Sequence, residues 1–326
     1  VLALYLWHYS EIINLFLELL EFFQVRKYIL ADQELNHLLA EKESITINSI
    51  FGLNLIVNQK ILPFTKTINV DADKSISIRS FLIGAISHNV SIANNVLESD
   101  DVFSAINCIK QLGIKIKKQK TNKYLIYGKG LGSLKIKKNS KLNFGNSGTL
   151  ARLLIGILST TPNIHVKLSG DNSLKKRSMK SLIKLMNEFG ATFIPKKKYN
   201  FPLKLISSSM PVGINYQAGV SAQLKSAVML AGLNSYGNTS ITEVQRSRDH
   251  TENILFKNSK VIKVKNRKRK IITIFGKRNL NSFKIEVPND PSSAAFFTAL
   301  TLLNKKSSLK IKNVGLNPTR TGFIKI

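Results

Sequence analysis

The chain has 326 residues, 43% of them hydrophobic, which is enough to bury a core and points to two domains or one large one. Its formal net charge of +30 attracts phosphates, carboxylates, nucleic acid or anionic membranes without choosing among them. A single cysteine, Cys108, excludes an internal disulfide framework and a cysteine-rich zinc site, and no other metal-ligand cluster or cofactor motif is visible.

From Val1 to about Phe23 the chain is apolar and aromatic. Glu11, Glu18 and Glu21 interrupt this stretch and no basic segment precedes it, so it reads as neither a signal peptide nor a membrane span. Residues 1–54 stay unassigned. The first 50 residues carry seven acidic side chains against three basic, the rest twelve against forty-six, so the positive excess belongs to the larger part. Much of that excess is Lys among many Asn and Ile, a bias that an AT-rich genome produces without selection for binding.

From about Lys66 onward short apolar strands, Gly/Ser/Asp loops and helices alternate in an α/β rhythm. Phe103 to Ile116 and Met179 to Ile194 resemble one another: each is an amphipathic helix that meets a glycine, Gly113 or Gly190, and turns directly into a strand. Their offset of 77 residues is too long for a solenoid repeat and suits a domain assembled from a few copies of one αβ unit.

Helix starts are legible at Asp73, Ser147, Ser221 and Asp290-Pro291, each a polar cap before an apolar run. Polar clusters sit at these starts, where unpaired N–H groups and the positive end of the helix dipole bind anions. The densest is Asp73-Lys74-Ser75-Ile76-Ser77-Ile78-Arg79-Ser80, in which Lys74 can meet a phosphate as a point charge and Arg79 can clamp an oxyanion bidentately.

Next come Gly145-Asn146-Ser147-Gly148-Thr149-Leu150-Ala151-Arg152, Gly170-Asp171 through Arg177, Ser221-Ala222-Gln223, and Ser247-Arg248-Asp249-His250-Thr251-Glu252. Taken singly, each is no more than a capped helix start or a charged surface turn. His250 has no visible nucleophile to activate.

In this order and at these separations, together with Asp290-Pro291-Ser292-Ser293-Ala294-Ala295 and Leu316-Asn317-Pro318-Thr319-Arg320-Thr321-Gly322, the segments resemble the 3-phosphoshikimate 1-carboxyvinyltransferase (EPSP synthase) family. The Asn-Ser-Gly-Thr and Ser-Ala-Gln loops are similar to the second of that family's two sequence classes.

The resemblance implies a two-domain inside-out α/β barrel of repeated βαβαββ units with helices buried inside. It divides the chain into residues 55–72 as the start of domain I, 73–287 as a shikimate 3-phosphate-binding domain II, and 288–326 as an incomplete continuation of domain I. It implies that Lys74, Ser75, Arg79, Ser221, Ala222, Gln223 and Ser247 bind shikimate 3-phosphate. Lys74, Gly148, Arg177 and Gln223 would bind phosphoenolpyruvate. Transfer of the enolpyruvyl group needs no metal or cofactor, and a cytoplasmic monomer is expected. The family's acid/base residues lie past the Leu316 to Gly322 match, and the resemblance places them beyond Ile326. The expectation is therefore that this chain binds shikimate 3-phosphate weakly and turns over little, with no catalytic acid or base assigned within it.

Departures from the family pattern are Asp71-Ala72 in place of Pro-Gly, Ile78 before Arg79, Ser178 after Arg177, and Asn289 before Asp290. Three other readings stand beside the main one. The first is a UDP-amino-sugar enolpyruvyl transferase, whose early motif is Lys-Asn where this chain has Lys74-Ser75. The second is a nucleic-acid binder drawn by Lys263 to Lys270, a run better explained as a solvated tip between strands Lys260–Val264 and Ile271–Phe275. The third is a substrate-binding but catalytically dead fragment.

Overall fold

A computed structural model describes residues 39–48, 54–258, 260–266 and 268–325. The apolar stretch from Val1 to Phe23 lies outside the described residues, as does Ile326. The chain divides into two compact units, residues 1–70 with 292–312, and residues 71–291 with 313–326.

The first unit contains β1 (Leu39–Asn48) and β2 (Asn54–Ile61), paired antiparallel with Asn48 opposite Asn54, and then β3 (Thr65–Ile68).

The second unit repeats one plan three times. The first copy runs α1 (Lys74–Ile86), β4 (His88–Asn94), α2 (Asp100–Gln111), β5 (Lys115–Lys120) and β6 (Lys123–Lys129). The second copy is β7 (Lys141–Asn143), α3 (Gly148–Thr160), β8 (His165–Ser169), the short α4 (Asn172–Lys176), α5 (Lys180–Glu188), β9 (Thr192–Ile194) and β10 (Leu203–Ile206). The third is β11 (Asn215–Ala218), α6 (Ala222–Leu233), β12 (Asn238–Glu243), α7 (His250–Leu255), β13 (Ile262–Asn266) and β14 (Lys270–Phe275). A last strand, β15 (Lys284–Glu286), lies parallel to β4 and supplies the strand that the first copy lacks.

The result, among the described residues, is three four-stranded sheets ordered β15-β4-β6-β5, β7-β8-β10-β9 and β11-β12-β14-β13. In each, the first pair is parallel and the other two are antiparallel. This is the βαβαββ repetition that the glycine-terminated helices signalled. Gly113 and Gly190 end α2 and α5 at φ +85° and +90°, a left-handed turn that glycine adopts at no steric cost.

Two kinds of helix follow from two kinds of sequence. Helices α2 and α5 bury one face only, through Val102, Ala105, Ile106 and Ile109 in one and Leu182, Ile183 and Met186 in the other. Helices α1, α3 and α6 are mostly apolar beyond their first two turns, with runs such as Phe81-Leu82-Ile83 and Val228-Met229-Leu230, and are buried there on every side. Helices α3 and α6 pack closely at Gly156, where an added Cβ would lie 2.6 Å from the Ala227 carbonyl oxygen.

The chain returns to the first unit through α8 (Pro291–Leu303), which begins at the expected proline, and β16 (Ser308–Ile311), parallel to β3. Residues 313–326 group with the second unit. Bonds within that unit run from Arg320 to Asp73 and Asp290, and from Asn317 to Asp249. No helix among the described residues is long and apolar enough to cross a membrane. The basic run at 263–270 is the expected hairpin, with Asn266 opposite Lys270.

Candidate active site

Because α1, α3 and α6 are buried along their bodies, their polar side chains gather in the first two turns, and these turns meet. Asp73, Ser147 and Ser221 cap the three helices by accepting hydrogen bonds from the Ile76, Leu150 and Leu224 amides. Helices α3 and α6 are joined by Gln223, whose Oε1 accepts from Arg152 Nη1 at 2.8 Å and whose Nε2 donates to Thr149 Oγ1 at 3.0 Å. Helices α1 and α6 are joined by Arg79 and Ser226.

Gly148 sits where two guanidiniums converge: an added Cβ would stand 2.8 Å from Arg152 Nη1 and 3.3 Å from Arg177 Nη1. Neutral oxygens hold both arginines. Arg177 donates to Asn146 Oδ1 at 2.8 Å and to Ser173 Oγ at 3.3 Å, and Arg152 donates to the Gly148 carbonyl as well as to Gln223. Burial, and then the neighbouring Arg177 charge, push the Arg152 pKa down, which is the signature of a cation short of an anion. A cavity of about 170 Å³ opens beside this cluster, lined by Arg152, Ser178, Ser181, Ser221 and Gln223 among others.

Five predicted residues, Gly148, Arg177, Ser221, Ala222 and Gln223, thus lie together. Lys74 is half-exposed at the first turn of α1, and its Nζ pairs with Asp101 Oδ2 of α2 at 2.9 Å, a partner the sequence did not announce. Arg79 points inward at 3% exposure. It donates to Thr251 Oγ1, the Ser75 carbonyl and Ser226 Oγ, so three of its N–H groups are committed to the protein. Burial lowers its pKa to about 10 against the opposing pull of Asp73 and Glu252.

Ser247 is buried and tied to Glu243 Oε1 through both its amide, at 3.0 Å, and its hydroxyl, at 2.8 Å. That same oxygen receives Lys225 Nζ of α6 at 2.6 Å. Lys225 also reaches Glu252 Oε1 at 2.7 Å, and Lys270 approaches both carboxylates at 3.3 and 3.4 Å. Burial alone would raise the Glu243 pKa. Hydrogen bonds from Lys225 and Ser247, with the Lys225 charge, outweigh it and hold the group at about 2. One carboxylate oxygen therefore fastens the loop bearing Ser247 to the helix bearing Ser221, Ala222 and Gln223. Sequence reasoning missed this network, although a lysine inside the apolar run Leu224-Lys225-Ser226-Ala227-Val228 demands a buried counter-charge.

A second ion cluster also escaped the sequence. Arg320 pairs with Asp73 Oδ2 at 3.2 Å and with Asp290 Oδ1 at 2.7 Å, and its Nη1 lies 3.5 Å from His250 Nε2. His250 is buried, and desolvation followed by Arg79, Arg320 and Arg248 pushes its pKa down to about 3, so the ring is neutral and accepts from Arg320. Asp73, His250 and Arg320 border a cavity of about 370 Å³ with Asn317 and Ile76.

The family model described as EPSP synthase (3-phosphoshikimate 1-carboxyvinyltransferase) matches residues 58–326. The chain belongs to the EPSP synthase family. The 3-phosphoshikimate 1-carboxyvinyltransferase of Paramagnetospirillum magneticum is 37% identical over 269 residues, covering 82% of this chain and 60% of that protein. The one from Bacillus subtilis is 40% identical over 260 residues, covering 79% of this chain and 59% of that protein. A solved structure of EPSP synthase from Acinetobacter baumannii matches with a TM-score of 0.73 at 36% identity, over 81% of this chain and 60% of that one. The chain thus spans about 60% of the length of the EPSP synthases it matches. The mixed α/β fold of the family is the one described above, and neither a UDP-amino-sugar enolpyruvyl transferase nor a nucleic-acid binder is favoured.

Proposed function

We propose that this protein serves the transfer of the enolpyruvyl group from phosphoenolpyruvate to the 5-hydroxyl of shikimate 3-phosphate with release of phosphate, a step toward chorismate and the aromatic amino acids. The observation that carries this reading is the meeting of the α3 and α6 N-termini at Gly148, where Arg152 and Arg177 are held only by neutral oxygens. Such a place suits small, multiply charged anions, and both substrates are of that kind.

On this reading Lys74, Ser75, Arg79, Ser221, Ala222, Gln223 and Ser247 hold shikimate 3-phosphate, and Lys74, Gly148, Arg177 and Gln223 hold phosphoenolpyruvate. The 5-hydroxyl adds to C2 of phosphoenolpyruvate as C3 takes a proton, and the tetrahedral adduct then loses phosphate. Lys74 and Arg177 stabilise charge on the carboxylate and phosphate, and they do so with little reorganisation because their neighbours already fix them. For Lys74 this means an ammonium shared between Asp101 and the ligand. A cytoplasmic, monomeric enzyme belongs to the same reading.

Calorimetric titration of the purified chain with shikimate 3-phosphate, with unphosphorylated shikimate as control, tests it. Saturable binding that requires the phosphate and weakens at least tenfold in Lys74→Ala is expected, as for a lost charge-assisted contact of about 1.4 kcal/mol or more. Equal affinity for the two ligands, or no binding, would refute the assignment.

A further inference from the structure

We propose that Arg152 is a positioning residue that fixes which way the Gln223 carboxamide faces in the anion site; the proposal rests on the enolpyruvyl-transfer reading above. A guanidinium has donors only, so the end of Gln223 that meets Arg152 Nη1 at 2.8 Å must be the carbonyl oxygen. The amide nitrogen is thereby turned to Thr149, where one N–H donates to Oγ1 at 3.0 Å. Its second N–H is the one available to an incoming carboxylate or phosphate.

Without Arg152 nothing distinguishes the two ends of the carboxamide at this point, because a threonine hydroxyl both donates and accepts. A reversed amide would set its oxygen against an anion. The arrangement is braced from below, since Arg152 also donates to the Gly148 carbonyl one turn earlier in α3, and from the side, since Arg177 crowds the same glycine. The link spans 71 residues of sequence and joins the N-terminal two turns of α3 to the first turn of α6, so it orders the site without forming part of the core.

The test is titration of the chain, saturated with shikimate 3-phosphate, by phosphoenolpyruvate in wild type, Arg152→Lys and Arg152→Gln, alongside the two Gln223 side-chain amide proton resonances in each. Arg152→Gln, which can donate or accept at the contact, is expected to raise the Kd for phosphoenolpyruvate about tenfold, the loss of one oriented donor to a charged group. The Gln223 amide resonances should shift and broaden with it. Arg152→Lys, still a donor without an acceptor, should keep the resonances and recover most of the affinity. Unchanged affinity in Arg152→Gln overturns the proposal, as does weaker binding with unmoved Gln223 resonances, which would make Arg152 a plain charge. Failure of the wild type to bind phosphoenolpyruvate refutes the enolpyruvyl-transfer reading instead, and the resonances then decide the positioning role alone.

Discussion

Replacing Lys225 by Met should cost about 3–5 kcal/mol of stability, the range for removing one partner of a buried ion pair. Lys225 has no exposed side-chain surface, and its Nζ lies 2.6 and 2.7 Å from Glu243 and Glu252, each only 1% exposed. Met fills a similar volume, so the loss is electrostatic: two buried carboxylates are left to Lys270, which stands 3.3 and 3.4 Å away and is partly exposed, and to the Ser247 donors. Against a typical total of about 5–15 kcal/mol this is a large fraction.

The assay is urea unfolding followed by far-ultraviolet circular dichroism, with the shift read from the midpoint at constant slope. Two internal checks separate charge from packing. The double variant Lys225→Met/Glu252→Gln restores one positive to one negative group and should regain at least about 1 kcal/mol, a coupling typical of contacting residues. In Lys225→Met, burial without the lysine raises the pKa of a carboxylate above its unfolded value. The variant should then be relatively more stable near pH 5 than near pH 8, because the protonated form is favoured in the fold. A loss below about 1 kcal/mol, or a double variant worse than the single, would refute the reasoning.

Gly156→Ala should destabilise by roughly 1–3 kcal/mol in a thermal melt, because the new methyl would sit 2.6 Å from the backbone oxygen of Ala227, where no side chain can yield. His250 gives a pH signature. Its pKa falls from 6.5 to about 3 on folding, so its contribution is present above the unfolded value and is lost as pH drops from about 6.5 toward 3. Between pH 7 and 5 the wild type should lose about 2 kcal/mol from this group, a loss that His250→Gln, measured by the same urea titrations, should not show.

The sequence disclosed what is local. Caps at Asp73, Ser147 and Ser221, the proline that starts α8 and the glycines that end α2 and α5 are statements about neighbouring residues, and the structure places them as expected. What it hid is long-range pairing. Arg152 meets Gln223 71 positions away, Lys225 meets Glu243 18 away, and Arg320 meets Asp73 247 away. No periodicity carries such distances. Arg79 makes the same point: nothing in the Lys-Ser cluster announces Thr251 and Ser226, from two other elements, as its partners.

The threefold plan explains why the site stands where it does. A helix enclosed on every side can carry polar groups most readily near where it emerges from the core, and α1, α3 and α6 share one interior, with Arg79 and Gln223 joining their first two turns. The carboxyl ends of these helices run into the strands β4, β8 and β12 through Ser87, Thr161 and Asn234, and are closed by backbone and side-chain bonds such as those from Ser87 to the Ile83 carbonyl and from Thr161 to the Ile157 carbonyl. The amino ends, with their unpaired N–H groups and positive dipoles, are left as the places where a ligand can be met. Repeating the unit supplies three such ends, and on the proposed reading the residues they offer to a ligand differ from copy to copy: Lys74 and Ser75 on the first, Gly148 on the second, Ala222 and Gln223 on the third.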